Sequence, residues 1–231
     1  MLRVLKSYLI PNLNKYISWD IYNWSRAFNF IDSQKSRKFF GKRVLEIGAN
    51  NGELSFWAAE KGANVICSDI NAPSIDAIKM AGNYHINNIR FLTLDVLNLS
   101  YKNTFDYVLI KSVLGGVGRE NPYRNQSLMF SKIHDALKPK GECLFIENMK
   151  GAFMHQLLRE KYGAARNKWN YPPLNDFYQF SKQFRKVKYK TFGVIGCGDF
   201  PLKLFRSKMD VGLENIIPKQ WNYIYAGVYQ K

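Results

Sequence analysis

Four side chains able to do chemistry stand at successive stations in the first half of the chain. Glu46 lies two residues before Gly48 in VLEIGANNGELS, residues 44–55. Asp69 closes NVICSD, 23 residues after Glu46, Asp95 closes IRFLTLD, and Lys111 closes FDYVLIK. A glycine turn leading into a helix lets a ligand approach the backbone, and the helix start offers unpaired N–H groups. A dinucleotide-binding turn reads GxGxxG, with an acid about 20 residues later. Here Asn50 takes the middle glycine's place, and Glu46 would repel a pyrophosphate. A carboxylate there suits a cationic ligand. Asn tolerates positive φ, so Asn50 can preserve the turn. Asp69, at the next strand end, can accept both hydroxyls of a ribose.

These stations require strands that end together. The runs 43–47, 64–69, 89–95, 105–112 and 142–148 read as strands. Helical patterns separate them, and such alternation means βαβ units on a mostly parallel sheet. The acids then line the crevice at the carboxyl edge of that sheet. Residues 1–40 read as helical. After Asn148, 152–163 and 174–184 read as helices, and 186–196 and 222–231 alternate like strands, with mostly loop between them. Such a closing pair gives an antiparallel edge. The expected organisation is a helical segment, 1–40, acting as lid and substrate wall, ahead of one α/β domain, 41–231. Within it, 41–148 forms the cofactor half, 149–185 the substrate-side helices and 186–231 the closing strands.

Glu46, Gly48 and Gly52, with acids at the next two strand ends, resemble the class I S-adenosylmethionine-dependent methyltransferases, whose first motif reads acid-x-Gly-x-Gly-x-Gly. Asn50 departs from that motif. The resemblance implies a Rossmann-like, mostly parallel seven-stranded sheet with an antiparallel last strand and helices on both faces. It implies S-adenosyl-L-methionine as cofactor. The turn of Gly48, Ala49, Asn50 and Gly52 would lie against the methionyl part, and Glu46 would contact its amino group. Asp69 and Ile70 would hold the ribose, Asp95 the adenine amino group, and Val96 the ring. Lys111 would reach the cofactor carboxylate or an acceptor anion. The stretches WDIYNWSRAF, FDYVLIKSVLGGVGR and FIENMKGAFMHQLLRE are similar to bacterial methyltransferases of surface-polysaccharide and small-metabolite synthesis.

On the acceptor side, Glu147 ends the fifth strand and His155 follows on the next helix. A histidine is the natural base near neutral pH, so His155 is the candidate to deprotonate a hydroxyl, oriented by Glu147. Trp24, Arg26 and Arg159 are candidate substrate contacts, the arginines for a carboxylate or phosphate. Gly115, Gly116 and Gly118 read as a flexible loop over the cofactor. His134 reads as solvated and His85 as structural. The fourth strand ends in Lys111-Ser112-Val113-Leu114 without proline, unlike enzymes that methylate base amino groups. Lys111 stands where one class of RNA 2′-hydroxyl methyltransferases carries Asp. Cys143 enters the fifth strand at its far end, the wrong place for a carbon-5 nucleophile.

Composition narrows the partners. The 231 residues are 46% hydrophobic and 23% charged, which excludes a disordered or fibrous chain. The net charge of +16 divides into +5 for residues 1–40, +1 for 41–148 and +10 for 149–231. Basic flanks on a neutral middle suit an anionic partner. A small or saccharide acceptor bearing an anion is the first expectation, with O-methylation of its hydroxyl. RNA is the alternative, and a non-catalytic cofactor-binding subunit the third reading. Cys67, Cys143 and Cys197 form no CxxC pair, so no zinc ribbon or disulfide framework is indicated and no metal is called for. A reducing, cytoplasmic setting fits. No run reaches the length of a membrane helix, although the first residues could touch a membrane surface. Oligomeric state is not legible.

Overall fold

A computed structural model describes residues 16–34, 38–72, 74–83, 86–162, 168–196 and 201–231. Seven strands form one sheet in the order β3-β2-β1-β4-β5-β7-β6. They are β1 (Arg43–Ile47), β2 (Asn64–Asp69), β3 (Ile89–Thr93), β4 (Phe105–Lys111), β5 (Leu137–Asn148), β6 (Lys186–Phe192) and β7 (Ile224–Gln230). The pairs from β3 through β5 are parallel, while β7 runs antiparallel to both neighbours. The helices are α1 (Ile21–Asp32), α2 (Glu53–Glu60), α3 (Ile75–Asn83), α4 (Leu114–Val117), α5 (Pro122–Ala136), α6 (Phe153–Tyr162), α7 (Leu174–Ser181) and α8 (Lys203–Leu213).

The inner positions of the central strands are mostly apolar because both faces are covered. Side chains alternate between faces along a strand. Val44, Leu109, Leu144 and Ile146 join the layer of α1, α2 and α3. Leu45, Val108, Ile110 and Phe145 join the opposite layer with Met129 and Phe130 of α5 and Phe177 and Phe180 of α7. From β1 the chain winds outward through β2 to β3, then crosses to β4 on β1's other side. The ends of β1 and β4 therefore part at a topological switch point, where open α/β sheets bind ligands.

Three elements differ from expectation. The segment expected as a lid supplies α1, which buries Trp24, Ala27, Phe28 and Ile31 against the sheet. Fully burying each such large side chain is worth about 1.5–3 kcal/mol, so this helix is core. Strand β5 begins at Leu137, taking in the expected KPKG turn, with a register shift against β4 between Phe105 and Tyr107. Between the closing strands, where loop was expected, lies α8. The outer strand β6 exposes Lys186, Lys188 and Lys190. His85, Cys197 and the first fifteen residues lie outside the described residues. His134 is not fully solvated; it is half-buried, its ring 5.3 Å from that of Phe184. Among the described residues, no helix is long and apolar enough to cross a membrane.

Candidate active site at the switch point

The turn after β1 has the conformation that its residues predict. Gly48 and Gly52 have φ of 65° and 75°, and Asn50 has φ of 47°. A Cβ on Gly48 would stand 2.4 Å from Val113 Cγ2, so glycine is required twice over, by torsion and by space. The Ala49 amide donates to the Ser68 carbonyl at 2.9 Å, and the Gly52 amide to the Ala49 carbonyl at 2.7 Å.

Glu46 is buried, and its Oε2 accepts from the amide and hydroxyl of Ser55 at 2.7 and 2.5 Å. It thus binds the first turn of α2 beneath the glycines. Burial raises its pKa, while the Ser55 bonds and Lys111 pull it back. Asp69 is half-buried and held from two sides: the Asn50 amide donates to Oδ2 and the Asn71 amide to Oδ1, each at 3.0 Å. Ile70 beside it is 65% exposed. Asp95 caps the short 3-10 turn Val96–Asn98, accepting from the Leu97 amide at 2.9 Å and Asn98 Nδ2 at 2.7 Å. Val96 is buried.

Lys111 leans back over the turn. Its ammonium pairs with Glu53, the first residue of α2, and donates to the Tyr16 carbonyl at 3.2 Å. Burial lowers its pKa against the pull of Glu46. Glu53 escaped the sequence reading, because an acid in a helix's first turn is ordinary there.

The ends of β4 and β5 carry a second polar chain, most of which the sequence did not single out. Ser112 takes φ of 57° just past β4, a strained value for a non-glycine residue. Asn148 Nδ2 donates to Ser112 Oγ at 3.1 Å, and Arg159 Nη2 donates to Asn148 Oδ1 at 2.6 Å. Arg159 also donates to the Met149 carbonyl, and its guanidinium lies over Tyr171, 4.2 Å from the ring centre. Arg159 thus stands at the carboxyl end of β5. The left-handed Ser112 had no signal in sequence, since serine rarely marks such a conformation.

Four expectations are corrected. Glu147 does not orient His155: its carboxylate accepts from the amides of Val113 and Leu114 at 2.8 and 3.1 Å, capping α4, and burial raises its pKa to about 8. His155 does not face the crevice as a solvated base. Its ring is 4% exposed and stacked on Tyr223 at 4.2 Å, and burial, then the Arg159 charge, push its pKa down to about 3. Trp24 and Arg26 do not line the crevice. Trp24 is fully buried against Trp19, and Arg26 makes a buried bidentate pair with Glu214. The expected glycine loop is not mobile in form: Gly115 and Gly116 lie in α4, and a Cβ on Gly115 would meet Trp169 at 2.7 Å.

The donor set fits S-adenosylmethionine. Its cationic end would meet a glycine turn flanked by Glu46 and by Glu53, which pairs with Lys111, and its vicinal hydroxyls would meet Asp69, which backbone amides hold in place. Each Asp69 oxygen can accept more than one hydrogen bond.

Comparisons agree with this geometry. A family model described as a methyltransferase domain matches residues 39–178. Ribosomal RNA large subunit methyltransferase E of Wolbachia pipientis wMel is 29% identical over 83 residues, covering 35% of this chain and 38% of that protein. Phosphoethanolamine N-methyltransferase 2 of Haemonchus contortus, in complex with S-adenosyl-L-methionine, shares the fold with a TM-score of 0.67 at 16% identity, over 100% of this chain and 57% of that one. A SAM-dependent methyltransferase from Archaeoglobus fulgidus gives 0.59 at 18% identity, over 90% and 92%. The chain thus spans little more than half of the worm enzyme and well under half of the ribosomal RNA enzyme. With the family model covering most of the domain and the turn, strand-end acids and sheet order in place, the chain belongs to the methyltransferase-domain family, as a class I S-adenosylmethionine-dependent methyltransferase.

Proposed function

We propose that the chain methylates a hydroxyl on a small or glycan-linked anionic acceptor seated across the ends of β4 and β5. The observation carrying this is the chain Ser112–Asn148–Arg159, with the guanidinium spread on Tyr171 beside the cofactor crevice. A planar cation held on an aromatic face is suited to bidentate recognition of a carboxylate or phosphate. When bound, S-adenosylmethionine supplies an electrophilic methyl carbon, and in-line transfer needs the acceptor atom aligned with it. Arg159 would hold the anion, and Ser112 with Asn148 would set the position of the acceptor group. Glu46, Asp69 and Asp95 serve the cofactor half, with Gly48, Ala49, Asn50, Gly52, Ile70 and Val96 shaping its walls. In this reading His155 fixes Tyr223 and α6 rather than taking a proton. The hydroxyl proton then leaves to solvent as the methyl is transferred, so the products are the methyl ether, S-adenosylhomocysteine and a proton.

The test is transfer of labelled methyl groups to hydroxylated anions, with uronates, sugar phosphates and phosphoethanolamine as separate arms. Turnover of the first two, lost in Arg159→Met with cofactor binding kept, supports the proposal. Turnover of phosphoethanolamine alone would move the acceptor atom from oxygen to nitrogen.

RNA is the second reading, favoured by the likeness to a ribosomal RNA methyltransferase and the +10 charge of residues 149–231. Its mark is RNA affinity falling steeply with salt. Both readings place the enzyme in the cytoplasm. A role in polysaccharide synthesis goes with the first.

A further inference from the structure

Helix α8 stands at the edge of the sheet that carries the cofactor crevice. Strand β7 runs antiparallel to both β5 and β6, so β6 ends at the carboxyl edge, and α8 lies in the connection from β6 back to β7. A packed surface helix turns its apolar stripe to the core. In α8 the sides are reversed.

The inner side is polar. Asp210 accepts from the amides of Val194 and Ile195 at 3.0 and 2.7 Å and from Asn23 Nδ2 at 2.6 Å. Ser207 donates to Asn23 Oδ1 at 3.1 Å, and Glu214, just past the helix, pairs with Arg26. These bonds fix which side faces out. At helical spacing, positions 204, 205, 208, 209 and 212 then share the outer side. Leu204 and Met209 are exposed there, with Phe205 at 59%. Ile216, four residues beyond Gly212, is 79% exposed. Single exposed apolar residues are ordinary, but several gathered on one face mark an interaction site.

The surrounding charges point to the kind of partner. Residues 201–221 carry two acids, Asp210 and Glu214, and four bases, Lys203, Arg206, Lys208 and Lys219. Both acids turn inward: Asp210 is buried, and Glu214 is held by Arg26 and the Gly193 amide. Lys208 and Lys219 are exposed, while Lys203 and Arg206 are half-buried. Every exposed charge along this stretch is therefore positive. Lys208 shares the outer side with Phe205 and Met209, where its stem can lie among apolar neighbours while its ammonium reaches out. The outer side of a helix is convex and has no walls to clasp a peptide. Projecting apolar side chains with a cation among them match the boundary between acyl chains and anionic headgroups.

We propose that the outer side of α8 seats on an anionic bilayer surface. Leu204, Phe205, Met209 and Ile216 enter the headgroup boundary, and Lys208 meets lipid phosphates. The contact is peripheral, holds the carboxyl edge of the sheet near the membrane, and is independent of which acceptor the crevice takes.

Co-sedimentation of the full chain with vesicles tests this, using phosphatidylcholine alone and an equal mixture of phosphatidylcholine and phosphatidylglycerol. The chain should bind the mixed vesicles about tenfold or more tightly than the neutral ones. Phe205→Ser with Met209→Ser should weaken binding to mixed vesicles about tenfold. Lys208→Gln should weaken it about fivefold, the worth of one cation near an anionic surface. Melting temperature and S-adenosylmethionine binding should match the parent's in every variant, which separates a lost contact from a lost fold or a lost cofactor site. Absence of binding to mixed vesicles overturns the proposal. So does equal binding to neutral vesicles, or binding that either the apolar pair or Lys208→Gln leaves intact. A concentration-dependent dimer that the apolar pair abolishes, in a chain that ignores vesicles, overturns it in favour of a second copy on this face.

Discussion

The Asn50 amide donates to the Asp69 carboxylate at 3.0 Å, so the acid that ends β2 also fixes the turn that follows β1. That carboxylate braces the backbone, and in the proposed reading it would also present acceptors to a ribose. The first prediction follows from the second role. Asp69→Ala should weaken S-adenosylmethionine binding about 100-fold, the worth of two hydrogen bonds to a charged acceptor. Calorimetric titration measures it, with NAD as a control ligand that should not bind. A folded variant binding the cofactor within about threefold of the parent would remove Asp69 from the site.

Gly48→Ala should cost about 2 kcal/mol or more. The added methyl needs a left-handed backbone and meets Val113 Cγ2 at 2.4 Å. In a domain of this size that is a fall in melting temperature of roughly 5 °C, readable by thermal unfolding. Adding Val113→Ala should recover part of the loss, because it removes the clash and leaves the torsion.

His155 and Glu147 set opposite pH limbs. With His155 held down to about 3 from 6.5, the unfolded chain binds a proton that the folded chain lacks between those values. Its contribution is intact above pH 6.5 and is lost as pH falls toward 3, at about 1.4 kcal/mol per unit. Glu147, raised to about 8 from 4.5, works the other way: its contribution is full below pH 4.5 and is lost as pH rises through 8. Urea unfolding across pH should show His155→Phe flattening the acid limb and Glu147→Gln the alkaline one. An acid limb unchanged in His155→Phe would mean that the imidazole titrates as in water.

Arg26 and Glu214 form an ion pair with side chains only 8% and 9% exposed. Arg26→Met alone should cost about 3–5 kcal/mol by stranding the carboxylate. Adding Glu214→Gln should restore most of it, since glutamine keeps an acceptor for the Gly193 amide, which donates to Glu214 at 2.6 Å. Denaturant midpoints of the single and double variants give the coupling.

The sheet was readable because its signal is local. In β1 and β2 the strands end at the residues expected, β4 ends one residue earlier, and Asn50 adopts the positive φ that asparagine allows. Helix α8 was not readable, because its pattern is inverted. It buries Ser207 and Asp210 and leaves Leu204, Phe205 and Met209 exposed, so no apolar stripe marked its inner face. Asp210 is held by the amides of Val194 and Ile195 and by Asn23, partners that sequence spacing cannot show. His155 fell the same way. Its type promised a base, but its chemistry depends on Tyr223, 68 positions later, stacking on the ring.

The alternating lysines of β6 have a consequence for how copies of this chain meet. An outer strand carries a row of backbone groups that can capture another strand and begin a fibre. Lys186, Lys188 and Lys190 place a cation at every second position of that row. A second β6 docking alongside would bring ammonium against ammonium along its length. Part of the basic character of the last third of the chain is therefore a guard against self-templated stacking, present whatever acceptor the enzyme methylates.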